Sequence, residues 1–106
     1  MTDKSLFDEQ LMRKGALIIR ALKNNLRQKI LRLVHKHQRI TVTEIYTQLK
    51  IEQSVTSQHL RILRDARLVN AQRDGKQIYY SINYERLYSI QKAAAKVVDV
   101  THTQKG

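Results

Sequence analysis

Cysteine is absent from the 106 residues, and disulfides, thiolate metal sites, cysteine nucleophiles and thiol redox sensing go with it. Proline is absent too, and glycine occurs three times, at Gly15, Gly75 and Gly106. So few forced breaks predict a helix-rich chain. Tryptophan is missing and phenylalanine occurs once, leaving Tyr79, Tyr80, Tyr84 and Tyr88 as the main aromatic material for any base-stacking platform. Apolar runs such as Ala16 to Ile19 reach four or five residues, against about 20 for a membrane-spanning helix. Met1-Thr2-Asp3-Lys4-Ser5 is not a basic region followed by an apolar stretch, so no secretory signal is expected. A soluble cytoplasmic protein that does not engage membranes is the expectation.

Acidic residues are also scarce. Lys and Arg number 20 against 9 Asp and Glu, a formal net charge of +11. In a chain of 12.5 kDa that excess favours a polyanionic partner. Hydrophobic residues make up 42%, which supports a small core and argues against a wholly disordered basic tail. No glycine-rich phosphate loop, HExxH motif or carboxylate pair in an evident cleft occurs, so catalysis is not expected.

The chain reads as one domain over 1–106, without repeats or linkers. Leu6, Phe7, Leu11, Gly15, Ile18, Ile19 and Leu22 recur at three- and four-residue steps, predicting a helix over about 6–22. Asn24 and Asn25 can cap a second helix, about 26–37, with Leu26, Ile30, Leu33 and Val34 on one face. Thr41-Val42-Thr43-Glu44 reads as a capping box for a short helix over about 42–49. A fourth helix follows over about 54–66. Two short helices joined this tightly predict a helix-turn-helix across about 42–66. The period then changes to alternation around Asp74-Gly75, predicting a hairpin wing over about 68–82 with a type I′ turn. Leu87, Ile90, Ala94, Val97 and Val98 stripe a final helix over about 84–100. The fold class expected is mainly α with a small β-hairpin (α+β), in the order α-α-α-α-β-β-α.

With Thr56, Leu60 and Leu63 turned to the core, Ser54, Gln58, Arg61 and Asp65 fall on the opposite face of the fourth helix, flanked by Val55 and Ser57. Gln58 can pair bidentately with adenine, Arg61 can reach guanine or phosphate, and serine hydroxyls suit either contact. Such a face, taken alone, is as often simply solvated; the charge of +11 and the following hairpin weigh towards DNA. The candidate contacts are Gln53, Ser54, Val55, Ser57, Gln58, His59 and Arg61 on this helix, and Arg73, Lys76 and Gln77 on the wing. His59 borders the core stripe, where a packed or hydrogen-bonded role is the stronger reading. Arg20, Lys23, Arg27 and Lys29 are weaker candidates for phosphate contacts.

From Leu17 to Tyr84 the chain resembles the ArsR/SmtB family of winged-helix bacterial repressors. Ala21-Leu22 through Arg27 and Ile30-Leu31, then Thr41-Val42-Thr43-Glu44-Ile45, carry the first part. Ser57-Gln58-His59-Leu60-Arg61-Ile62-Leu63 through Ala66, Leu68-Val69, Asp74-Gly75 and Tyr79-Tyr80-Ser81-Ile82 complete it. The resemblance implies a homodimer joined through its first and last helices, with Phe7, Leu11, Ile18, Leu87, Ile90, Ala94, Val97 and Val98 at the interface. It implies a nucleoid-associated repressor whose fourth helix enters the major groove of a partly palindromic operator in double-stranded DNA.

Departures from the family pattern concern the signal. Thr41 and Thr43 stand where relatives carry soft metal-ligating cysteines. Tyr84, Arg86, Val97 and Val100 stand near the zinc-ligand positions of other members, and none suits zinc. No metal or cofactor is expected, and no small-molecule effector is assigned. Asp99 and His102 form the one residual helical pair of metal-ligating type. Arg67 stands where the family usually has glycine after the fourth helix, and Val55-Thr56 reverses the usual polar-then-apolar order. A sequence-tolerant nucleic-acid binder and a winged helix that contacts only proteins are the competing readings. Specificity over random duplex separates the first and salt dependence the second.

Overall fold

Local capping fixes most of the element boundaries in the computed structural model, which describes residues 9–93. The first helix, α1, spans Glu9–Lys23, and the second, α2, spans Asn25–His37. Asn24 separates them, its Oδ1 accepting the Arg27 N–H at 3.0 Å. Thr41 Oγ1 accepts from the Glu44 N–H at 3.2 Å while the Glu44 carboxylate accepts from the Thr41 N–H, closing the expected capping box at the start of α3, Val42–Leu49. Lys50 then turns left-handed (φ 56°), and the N–H groups of Lys50 and Ile51 both bond Tyr46 O. The fourth helix, α4, runs Gln53–Asp65, one residue earlier at each end than its periodicity predicts.

At the end of α4 the Leu68 N–H bonds Leu63 O at 2.9 Å and the Arg67 N–H bonds Arg64 O at 2.8 Å. This is a Schellman closure, and Arg67 sits in its left-handed position with φ 61°. The predicted hairpin follows as β2, Val69–Asp74, and β3, Gln77–Ile82. Their turn differs from the expected one. Asp74 pairs with Gln77, so Gly75 and Lys76 are the central residues, and of these Gly75 alone has positive φ (65°). That pattern fits a type II′ turn, with glycine first, rather than the predicted type I′ centred on Asp74-Gly75.

A two-residue strand, Ile40–Thr41, was not expected. It pairs antiparallel with β3, Ile40 opposite Tyr80, and makes a three-stranded sheet in which β3 is central. Numbered in chain order, it is β1. A fifth helix, α5, occupies 84–93 of the described residues. The fold is therefore mainly helical with a small antiparallel sheet.

Thr56, Leu60 and Leu63 of α4 are buried, as the 100° wheel requires, against Ile30 and Val34 of α2 and Ile45 of α3. Each fully buried Leu or Ile stabilises by about 1.5–3 kcal/mol. Thr56 is accommodated because its hydroxyl donates to Glu52 O at 3.0 Å. The core thus anchors the inner face of α4 and leaves its outer face to solvent.

Candidate nucleic-acid interface

Gln53, Ser54, Ser57, Gln58 and Arg61 are exposed on α4, and Val55 is half-buried at its flank. Glu52 caps α4 without a side-chain hydrogen bond, so the N-terminal N–H groups of the helix are not taken up by a capping side chain. Ser57 and Arg61 line, with Arg64, Asp65 and Tyr80, an open depression of about 390 Å³ between α4 and the sheet. Arg64 was not singled out from the sequence. Its spacing of three residues from Arg61 would have placed it on the same side of the helix.

The wing presents Arg73, Lys76 and Gln77, all exposed. Arg39, just before β1, reaches across to this hairpin. Its Nη2 lies 2.9 Å from Asp74 Oδ2, and its guanidinium carbon lies 3.6 Å from the centre of the Tyr79 ring. The ion pair is half to two-thirds exposed, so its electrostatic contribution is small. The guanidinium stacked on Tyr79 is a cation–π contact on the face of β3.

The C-terminal end of α4 is held by the segment leading into α5. Leu68 O accepts from the Asn83 N–H at 2.9 Å, Arg67 O from Asn83 Nδ2 at 3.0 Å, and Ala66 O from Arg86 Nε at 3.3 Å. Asn83 Oδ1 also accepts from the Arg86 N–H, capping α5. An asparagine one residue before a helical run is a legible cap; its second bond, to a turn 16 residues earlier, is not.

Two sequence expectations meet in one contact. His59 is half-buried, and its Nδ1 lies 3.1 Å from Arg27 Nη1. Arg27, expected among the weaker phosphate contacts, is 8% exposed. Its guanidinium is already occupied by His59 and by the carbonyls of Arg20 and Ala21, which corrects that expectation. Burial, and secondarily Arg27, hold the His59 imidazole below the usual histidine range. Burial and the neighbouring Arg20 likewise lower the Arg27 guanidinium from its ordinary value.

Of the residues expected at a dimer interface, Ile18, Leu87 and Ile90 are half-buried, and the last two pack against the core of the same chain. Exposed apolar surface on α1 comes instead from Leu17 and Ile19, and on α5 from Tyr84 and Tyr88. Phe7, Ala94, Val97 and Val98 lie outside the described residues, as does the side chain of Leu11. Val100, Asp99 and His102 lie outside them too. Among the described residues no three His, Cys, Asp or Glu side chains gather as a metal site. No described helix is long and apolar enough to cross a membrane.

Comparison with known proteins gives this arrangement a context. Residues 24–71, from the α2 cap into β2, match the family described as bacterial regulatory protein, arsR family. The chain is 36% identical over 77 residues to the transcriptional repressor PagR of Bacillus anthracis, covering 73% of this chain and 77% of PagR. The PagR crystal structure superposes with a TM-score of 0.66 at 32% identity, over 82% of this chain and 99% of that one. The transcriptional activator HlyU of Vibrio cholerae is 30% identical over 70 residues, covering 66% of this chain and 64% of HlyU. An ArsR-like transcriptional regulator from Rhodococcus sp. RHA1 shares the fold, with a TM-score of 0.81 at 18% identity over 90% of this chain and 89% of that one. The helix-turn-helix, the wing and these relatives agree: the chain belongs to the arsR family of bacterial regulatory proteins, and is a winged helix-turn-helix DNA-binding transcription regulator rather than an enzyme.

Proposed function

We propose that the chain works as a single-domain homodimeric repressor that recognises a specific operator through α4. The observation that carries this reading is the outward face of α4. Ser54, Ser57, Gln58 and Arg61 stand exposed on a helix whose inner face is locked into the core. Gln58 pairs with adenine, Arg61 with guanine or a phosphate, Gln53 and the serines with bases or backbone, and Val55 touches a thymine methyl. Arg73, Lys76 and Gln77 of the wing run along the backbone or into the minor groove. Repression is favoured over activation because the similarity to PagR is the more extensive of the two.

The dimer forms through α1 and α5, whose Leu17, Ile19 and Tyr88 give apolar surface that a second copy would cover. Thr41, Thr43, Tyr84 and Arg86 at the family's sensor positions, and a sequence without cysteine, support a regulator that lacks the common metal and thiol sensor sites. Its place is the cytoplasm, at the nucleoid.

Capture of genomic fragments by the purified protein, followed by affinities for a captured operator and for random duplex at matched salt, tests the proposal. The expected ratio exceeds about 10³, with a dimer in solution and reduced transcription from the operator-bearing template. A ratio near one would favour a sequence-tolerant architectural role, and a monomer in solution would remove the two-fold arrangement.

A further inference from the structure

We propose that Arg27 is a positioning residue for DNA recognition, tying the recognition helix α4 through His59 to the corner between α1 and α2. The inference rests on the reading of α4 given above. Arg27 Nε donates to Ala21 O at 3.1 Å and Nη2 to Arg20 O at 2.6 Å, while Nη1 lies 3.1 Å from His59 Nδ1. One planar guanidinium therefore closes the end of α1, from a position on α2, and holds a side chain of α4. Only a fixed fork of donors reaches three acceptors so disposed; a lysine ammonium, a single nitrogen, does not.

The contact falls midway along α4, between ends that are held unequally. Asn83 and Arg86 hold the carbonyls of the C-cap Ala66 and of Arg67 in the closing turn, whereas Glu52 gives the first turn no side-chain cap. His59 adjoins Gln58 and precedes Arg61 by two residues, so the fork acts on the segment that meets base edges. Hydrogen bonds to bases operate within about 2.7–3.2 Å, so loss of the anchor needs only a small reorientation of the outer face about the core-held Thr56 and Leu60 to break them. Phosphate attraction falls off slowly with distance and survives such a shift. The predicted signature is a loss of specificity with general DNA affinity retained.

The test measures affinity for a captured genomic operator and for random duplex across a salt series, using R27K, H59A, H59N and the R27K/H59A double variant of the full chain. Circular dichroism verifies folding. R27K keeps the charge and loses the fork; H59N keeps an acceptor, its Oδ1, at the position of His59 Nδ1, where H59A removes it. We expect R27K and H59A each to lower the operator-to-random ratio roughly tenfold or more, with random-duplex affinity and salt slope unchanged. H59N should restore the ratio, and the double variant should be no worse than the poorer single variant. A merely structural role would lower both affinities together and leave their ratio intact.

Retention of the full ratio by R27K would overturn the proposal. So would H59N as poor as H59A, or additive losses in the double variant, since both would mean that His59 acts on DNA independently of Arg27. If R27K does not fold, the H59A and H59N pair decides. A parent protein with no operator preference overturns the operator reading itself, whereas failure confined to the variants overturns only the positioning role.

Discussion

Arg67 offers a stability test whose sign runs against the usual expectation for a glycine substitution. Its φ of 61° places an arginine in the left-handed region, in the closing turn of the recognition helix. A residue with a Cβ pays roughly 1–2 kcal/mol there and glycine almost nothing. Glycine also widens the unfolded ensemble, which costs about 0.4–1 kcal/mol. Arg67→Gly is therefore expected to stabilise by about 0.5–1 kcal/mol net. The Arg67 groups that bond Arg64 and Asn83 are backbone atoms, which the substitution keeps. In a domain of this size the gain corresponds to a melting temperature raised by about 2–8 °C. Thermal unfolding followed by circular dichroism at fixed protein concentration measures it. Arg67→Ala, which retains the Cβ, serves as the control and should gain none of this. A melting temperature for Arg67→Gly below that of the parent would refute the strain argument.

Gly75→Ala should destabilise by about 1–3 kcal/mol, since the first central position of a type II′ turn is a conformation that residues with a Cβ rarely adopt. An added Cβ meets nothing within 4 Å, so the whole cost comes from φ at 65°; an unchanged melting temperature would speak against the turn described. His59 should give an acid-sensitive contribution to stability. Burial and then Arg27 depress its folded pKa, so on acidification the unfolded chain binds the proton first. The contribution is fully present above about pH 6.5 and is lost as pH falls from there through the depressed folded value. The melting-temperature difference between the parent and His59→Gln should accordingly shift against the parent between pH 7.5 and pH 5.5, and a constant difference would contradict this. Lys76→Ala should weaken binding alike on all sequences and reduce the salt slope by about one; an unchanged slope would remove Lys76 from the phosphate contacts.

The parts of the fold legible in the sequence are those set by neighbours three or four residues apart. Thr41 and Glu44 announce their capping box because both bonds close within one turn, and Thr56, Leu60 and Leu63 announce the inner face of α4 by spacing alone. The strand Ile40–Thr41 was hidden because two residues carry no period; it exists through its pairing with β3, some 40 residues on. The wing turn was misplaced by one residue because a single Asp-Gly pair does not fix register. The Asp74–Gln77 pairing does, and the contact that Asp74 makes with Arg39 comes from 35 residues away. For the candidate site, the exposed face of α4 followed directly from the helical wheel. Arg27 did not, since an arginine on a helix reads as solvated until the carbonyls at the end of α1 and the ring of His59 are seen around it.

Base reading by α4 is decided by a set of affinities for Gln58→Ala and Arg61→Ala on a captured operator and on each of its single base-pair variants. Each substitution is expected to cost about 1–3 kcal/mol and to relax discrimination at one base pair, leaving the other positions as selective as before. Equal losses on every sequence would assign both side chains to the phosphate backbone and contradict the account.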